Sequence, residues 1–184
     1  MHQNRLAPAG TAIMHVMTTQ RWSPSVTVAA VMVREDGRYL LIEEHTPEGL
    51  RLNNPAGHLE PGESPAQGCA REALEESAYA FEPTALVGIY LARFVRQPDT
   101  EFAQDITYLR LAYAGRLGTH HPQQALDHGI VATHWLSLQE VRDSAARHRS
   151  PLVRQCIEDH ARGQRLPLES IAVDPSVWRP TGAP

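Results

Sequence analysis

The sequence predicts a single domain of the α/β class, with strands and helices in the mixed order of an α+β fold. Strand-like segments come first, one helix follows, and then come further strands and two helices. The helices are too few to serve as the crossovers of a regular βαβ repeat. The length of 184 residues also favours one domain, because a domain usually holds about 100–200 residues.

The first two strands are predicted at residues 26–33 and 38–44. The segment VTVAAVMV is apolar on both faces, and the turn residues EDG separate it from RYLLIEE. This pattern is typical of a hairpin, and the apolar first strand indicates that the pair lies inside a sheet. The segment that follows is predicted to be a loop because it is rich in turn residues, namely Pro47, Gly49, Pro55 and Gly57.

A helix is predicted at about residues 65–80. Ser64 can cap its first turn, Pro65 suits the first helical position, and Gln67 completes a capping box. Ser64 is therefore interpreted as a helix cap rather than as a nucleophile.

The second half of the chain predicts three strands and two helices. The segments 85–96 and 106–116 have the apolar pattern of long strands and are expected to form a second hairpin, and a short strand follows at 131–136. The last helices are indicated by start and stop signals, which are Ser137 with Glu140, Ser150 with Pro151, and Gly163. We expect residues 25–173 to form the domain, 1–24 an N-terminal extension and 174–184 a C-terminal tail.

Composition excludes several classes of function. The 17 basic residues are all arginine, so no lysine can form a Schiff base or complete a Walker-type phosphate loop. A net charge of −4 argues against binding to a nucleic-acid backbone. The longest apolar run, 26–33, is too short to span a bilayer, and two distant cysteines exclude a disulfide scaffold. We therefore expect a cytoplasmic protein without membrane or nucleic-acid partners.

Three carboxylates fall on one side of the predicted 65–80 helix. Glu72, Glu75 and Glu76 are spaced i, i+3 and i+4, which brings them close together. Such a cluster alone is most often a solvated helix face. The preceding loop, however, adds acidic residues and glycines that can expose backbone carbonyls, and hard divalent cations prefer such oxygen ligands. Magnesium with a phosphate substrate is the chemistry that this set indicates.

These residues belong to a longer pattern. Gly57 is followed by five residues, Glu63 by seven, and then comes REALEESAY at 71–79. This resembles the Nudix box, GX5EX7REUXEEXGU, with the complete spacing. It departs from the box at Ala78, where the family usually has glycine, and at Ala73, where it usually has a larger aliphatic residue.

The resemblance implies an α/β/α sandwich with a mixed central sheet. It also implies hydrolysis of a nucleoside diphosphate linked to another moiety, or of a related phosphoanhydride, with magnesium or manganese. The site residues that it implies are Glu72, Glu75 and Glu76 as metal ligands or water activators, Gly57 as a backbone-carbonyl ligand, and Glu63 as an anchor acting through Arg71.

Segments outside the box, at 53–60, 149–153 and 163–169, resemble the NudJ-type phosphatases of this family. That subgroup implies release of phosphate from nucleoside tri- and diphosphates and action on thiamine pyrophosphate or hydroxymethylpyrimidine pyrophosphate. One alternative is an ADP-sugar or dinucleotide pyrophosphatase. Another is a non-catalytic nucleotide-sensing module, although the intact carboxylate set argues against it.

Several assignments stay open from the sequence. His58 and Glu60 are candidate substrate-binding residues, and a structural role for His58 is an equal alternative. An extra acidic metal ligand could be Glu101, Asp105 or Asp127, of which Asp127 is preferred. A small-molecule nucleotide or pyrophosphate is the expected partner of a monomer or a homodimer.

Overall fold

The computed structural model describes residues 21–96 and 104–178. It has seven strands and three α-helices in these ranges. The strands are β1 (Ser25–Val31), β2 (Tyr39–Thr46), β3 (Gly49–Asn53), β4 (Ala56–His58), β5 (Tyr79–Arg96), β6 (Gln104–His120) and β7 (Ile130–Leu136), and the helices are α1 (Pro65–Ser77), α2 (Leu138–Asp143) and α3 (Pro151–Ala161).

The strands form two sheets. The first has the order β4-β1-β6-β5 and the second the order β3-β2-β7. In the first sheet β1 runs parallel to β6 and antiparallel to β4, so this sheet is mixed, while β5 and β6 are antiparallel. The second sheet is antiparallel throughout.

Helices cover both faces of the four-stranded sheet. Alternate residues of β1 point to opposite faces, as the period of a strand requires. Ala29 and Val31 join a core that includes α3, while Val28 and Ala30 join a core that includes α1. The expected α/β/α arrangement is confirmed. Both cysteines, Cys69 on α1 and Cys156 on α3, are buried in these cores.

The predicted hairpin of 26–33 with 38–44 is wrong beyond its turn. The Arg34 amide donates to the Arg38 carbonyl over 2.9 Å, and the Leu40 amide to the Met32 carbonyl over 3.0 Å. Past this turn the two strands diverge into different sheets. Because β1 is apolar on both faces, it is stable as an inner strand and pairs with β4 and β6 instead.

The second predicted hairpin is confirmed. Strands β5 and β6 pair antiparallel from Tyr79↔His120 to Arg96↔Gln104, which makes both strands longer than predicted. Two short strands, β3 and β4, lie in the segment that was expected to be a loop. Their sequences are short and broken by turn residues, so only pairing with β2 and β1 makes them strands.

Helix α1 ends three residues earlier than predicted. Ala78 adopts a left-handed conformation with φ 58° and ψ 15°, and its amide donates to the Leu74 carbonyl. The chain then enters β5 at Tyr79. This conformation explains why the Nudix pattern favours glycine at this position, since an L-residue is strained there.

The ends of the domain are described in part. Residues 175–178 form a short 3-10 turn, and the Trp178 indole donates to the Gln67 side chain over 3.3 Å. The remainder of the predicted tail and residues 1–20 of the predicted extension lie outside the described ranges. No helix among the residues described is long and apolar enough to cross a membrane.

Candidate active site

The start of α1 is fixed by its own sequence. The Ser64 side chain accepts the Gln67 amide over 3.2 Å, and the Gln67 side chain accepts the Ser64 amide over 2.8 Å. This reciprocal capping box satisfies two amides that the helix leaves free. It confirms Ser64 as a cap and sets the register that presents the glutamates of α1 to β4.

Gly57 and Glu72 are in close contact. A Cβ atom at Gly57 would lie 2.1 Å from the Glu72 Oε1 atom, so any larger residue at this position would force the Glu72 carboxylate to move. Glu72 is 7% exposed. Its burial raises its pKa, although the ion pair with Arg71 opposes the shift.

Glu76 is buried about one turn after Glu72 on the same helix. Its Oε2 atom accepts the backbone amide of Ala56 over 2.7 Å, and the residue is 9% exposed. Burial, reinforced by the negative charges of Glu72, Glu44 and Asp127, raises the pKa of Glu76 to about 8.

Arg71 links the helix to the loop before it. Its guanidinium makes two hydrogen bonds to Glu63, of 3.0 and 2.8 Å, and one of 3.1 Å to the His58 carbonyl. Its Nη1 atom also donates to Glu72 and Glu75, over 2.8 and 3.0 Å. The hydrogen-bonded ion pair with Arg71 lowers the pKa of Glu63. The predicted bridge between Glu63 and Arg71 is therefore present.

Asp127 lies beside the carboxylates of α1. Its amide donates to the Glu75 carbonyl over 3.0 Å, and its charge contributes to the raised pKa values of Glu72 and Glu76. Asp105 is instead exposed and paired with Arg93 over 2.6 Å. Glu101 lies outside the described residues. Of the acidic residues considered, the structure thus brings Asp127 to the site.

Glu72 and Glu76 offer oxygen donors of the kind that divalent cations prefer. Glu72 and Glu76 have raised pKa values because burial and neighbouring carboxylates disfavour their charged forms. A cation held there would reverse this effect. Within the described ranges, no three acidic, histidine or cysteine side chains already converge closely enough to enclose a metal ion, and the Arg71 guanidinium occupies the space between Glu72 and Glu75.

A cleft of about 250 Å³ opens next to Glu76. His58, Phe94 and Tyr108 form an aromatic side of it, with the Phe94 and Tyr108 rings 5.7 Å apart and the His58 and Tyr108 rings 6.3 Å apart. Glu60 does not line this cleft: its side chain is exposed at a separate hollow near the C-terminal end of the described chain. The structure thus separates the two candidate substrate-binding residues.

Two arginines of the cleft were not singled out from the sequence. Arg110, on β6, and Arg149, before α3, both line it. Arg149 lies in one of the quoted NudJ-like segments, but no role was assigned to it. Arg110 is a charged residue inside the apolar run ITYLRLAYA, and that irregularity is the signal that could have revealed it.

Among the residues that the structure describes, several buried polar atoms at the cleft lack hydrogen-bond partners. Within the described part of the chain, no hydrogen-bond partner exists for Thr27 Oγ1, Asn53 Oδ1, or the Nε and Nη1 atoms of Arg110. All three residues line the cleft and are buried. Buried polar atoms in native proteins are nearly always hydrogen-bonded, so this group marks the cleft as a candidate binding site.

The chain is similar to known proteins over most of its length. Residues 23–156 match the model of the NUDIX domain. Phosphatase NudJ of Escherichia coli strain K12 is 35% identical over 150 residues, covering 82% of this chain and 92% of that protein. A solved NUDIX hydrolase from Nitrosomonas europaea has 45% identity and a TM-score of 0.73, covering 83% of this chain and 98% of that one. A MutT NUDIX hydrolase from Burkholderia pseudomallei, at 21% identity and a TM-score of 0.58, covers 75% and 98% and shares the fold.

Proposed function

Because the chain belongs to the Nudix hydrolase family, we propose that it is a metal-dependent phosphatase of phosphoanhydrides. Its substrates under this proposal are nucleoside tri- and diphosphates and thiamine pyrophosphate or hydroxymethylpyrimidine pyrophosphate, and water is the nucleophile. The observation that carries the proposal is the position of Glu76: a buried carboxylate of α1, fixed by the Ala56 amide, that lines a cleft. The similarity to phosphatase NudJ supports the choice of substrates.

The residues proposed to hold the metal are those on α1 and its neighbours. Glu72, Glu75 and Glu76 would provide carboxylates, Gly57 its backbone carbonyl, and Asp127 a further carboxylate. Magnesium is the proposed ion and manganese a substitute, since oxygen ligands suit both. Bound there, the ion would neutralise phosphate oxygens and lower the pKa of a water molecule.

The protein residues have distinct proposed roles. Glu76 takes the proton of the attacking water, because it is the α1 glutamate that lines the cleft. Arg71, anchored by Glu63, keeps the loop of His58 on the helix and so positions the carboxylates. The proposed role of His58, whose side chain is exposed at the cleft, is to donate a hydrogen bond to a substrate phosphate.

The aromatic side of the cleft is suited to a planar ring. Phe94 and Tyr108 meet edge to face, and such side chains stack on heterocycles. The volume of about 250 Å³ lies just below the roughly 300–1,000 Å³ of common ligand sites. Glu60, which faces another hollow, stays a prediction without support from this geometry.

A product analysis tests the proposal. Purified protein is incubated with Mg²⁺ and, separately, ADP, ATP, thiamine pyrophosphate and ADP-ribose, and the products are identified by chromatography. Phosphate from ADP or ATP, lost with EDTA and restored by Mg²⁺, is the expected result. AMP from ADP-ribose as the main reaction would favour the ADP-sugar pyrophosphatase, and nucleotide binding without turnover would favour a sensing module. The cytoplasmic location and the choice between monomer and homodimer stay predictions.

A further inference from the structure

Arg110 is buried in the middle of the four-stranded sheet. It pairs in register with Thr27 on β1 and with Tyr90 on β5, and it is 8% exposed. Its side chain lines the cleft. In the described chain, neither its Nε nor its Nη1 atom has a hydrogen-bond partner.

The acidic neighbours of Arg110 have other partners. Glu44 pairs with Arg149 over 2.6 Å and accepts a hydrogen bond of 3.1 Å from the side-chain amide of Asn53. Glu76 accepts a hydrogen bond from the backbone amide of Ala56. A guanidinium stays charged in proteins, and a buried charge without a partner is costly. Within the described residues, the Nε and Nη1 donors of Arg110 are therefore available to a ligand that enters the cleft.

The chemistry of that ligand follows from the donors. A guanidinium has N–H donors and no acceptor, so Arg110 requires oxygen acceptors, and an anion also suits its positive charge. Arg149 adds a second cation to the same cleft. Thr27 Oγ1, equally without a partner among the described residues, can donate to the same anion. A terminal phosphate offers three acceptor oxygens and up to two negative charges, whereas an esterified internal phosphate offers fewer of both.

We propose that Arg110 is a specificity-determining residue that binds the terminal phosphate of the substrate. It would make the enzyme prefer phosphoanhydrides that end in a free phosphate over diphosphates esterified at both ends. This inference rests on the proposed phosphatase function and adds to it the residue that sets the substrate class.

The test compares Arg110→Met with Arg116→Met. Methionine keeps much of the length of arginine without its charge, and Arg116 is an exposed arginine on the same strand, paired with Glu82. With Mg²⁺ present, the KM for ADP and the inhibition constant of ADP-ribose are measured. We expect Arg110→Met to raise the KM for ADP at least about tenfold, as loss of a hydrogen bond between charged groups predicts, with little change for ADP-ribose. Arg116→Met should match the wild type in both.

A second measurement does not depend on turnover. Binding of inorganic phosphate to each protein is measured by calorimetry in EDTA, and Arg110→Met should lose it. Equal weakening of ADP and ADP-ribose, or unchanged phosphate affinity, would overturn the inference. Loss of phosphate binding with an unchanged KM for ADP would show a site for free phosphate, which also overturns it. If the wild type hydrolyses no phosphoanhydride, the proposed function fails while the calorimetry still tests Arg110.

Stability separates this role from a structural one. Replacing a buried charged group with an apolar side chain of similar volume is often neutral or stabilising, so ligand-free Arg110→Met should unfold at the wild-type temperature or above. Arg110→Lys keeps the charge without the fork and should bind phosphate with intermediate affinity. Early unfolding of Arg110→Met together with wild-type phosphate affinity in Arg110→Lys would assign Arg110 to the fold alone.

Discussion

The Glu76 carboxylate and the Ala56 amide are joined by a hydrogen bond of 2.7 Å. This contact ties the C-terminal half of α1 to the start of β4, and it fixes the Glu76 carboxyl group in a nearly closed environment. Gly57, the next residue of β4, leaves room for the Glu72 carboxylate. The short strand β4 therefore determines where two of the three α1 carboxylates lie.

Replacing Glu76 with glutamine should remove activity and keep the fold. The glutamine amide oxygen can still accept the Ala56 N–H, but it cannot take a proton from water. General-base catalysis contributes roughly 10²–10⁴-fold, so phosphate release should fall by about that factor at an unchanged unfolding temperature. Glu82→Gln, at an exposed glutamate on β5, serves as the control. Activity of Glu76→Gln near that of the control would remove the assigned role.

Ala78→Gly should stabilise the protein. Ala78 has φ 58°, and this left-handed conformation costs an L-residue roughly 1–2 kcal/mol. Glycine avoids that strain, but its larger loss of conformational entropy on folding costs about 0.5–1 kcal/mol. The net gain in unfolding free energy should be about 0.5–1 kcal/mol, measured by urea denaturation. Ala70→Gly, in the middle of α1, is the matched control and should destabilise by about 1 kcal/mol. A loss of stability in both variants would contradict this account of the helix end.

Local signals in the sequence predicted local structure well. The capping boxes at Ser64 and Ser137 each act within their own helix, and the i, i+3, i+4 spacing of the glutamates acts within α1. The structure contains both boxes and has the three glutamates on α1. The pairing of β1 was mispredicted because its partners, β4 and β6, are chosen by tertiary packing. Arg110 was missed for the same reason: its position in the cleft depends on the pairing of β6 with β1 and on the segment before α3.

The two serine caps of the long helices should differ in their contribution to stability. The Ser64 hydroxyl accepts the Gln67 amide, whereas Ser150 makes no side-chain cap bond at the start of α3. Ser64→Ala should therefore lower the unfolding free energy by about 1 kcal/mol, and Ser150→Ala should change it less. Chemical denaturation of both variants against the wild type measures this. Equal losses would show that the bond at Ser64 does not account for the effect.

His160 should make the stability of the protein sensitive to acid. Its Nδ1 atom lies 3.2 Å from the Tyr39 hydroxyl, and burial, with a smaller effect of Arg165, lowers the pKa of His160 to about 4. The unfolded chain, with a pKa near 6.5 for histidine, then binds more protons than the native protein between about pH 6.5 and 4. The stabilisation due to neutral His160 is present above this window and is lost as the pH falls through it.

The variant His160→Gln isolates this effect, since glutamine can still bond to Tyr39 but does not titrate. Because His160 is only partly buried, the difference in pKa should be worth about 1–2 kcal/mol rather than its full value. Urea denaturation from pH 7 to 4.5 should show the wild type losing that much more stability than the variant. The exposed His121→Gln is the control and should follow the wild type. Parallel stability profiles for wild type and His160→Gln would mean that His160 binds protons equally in the folded and unfolded chains, contrary to its partly buried contact with Tyr39.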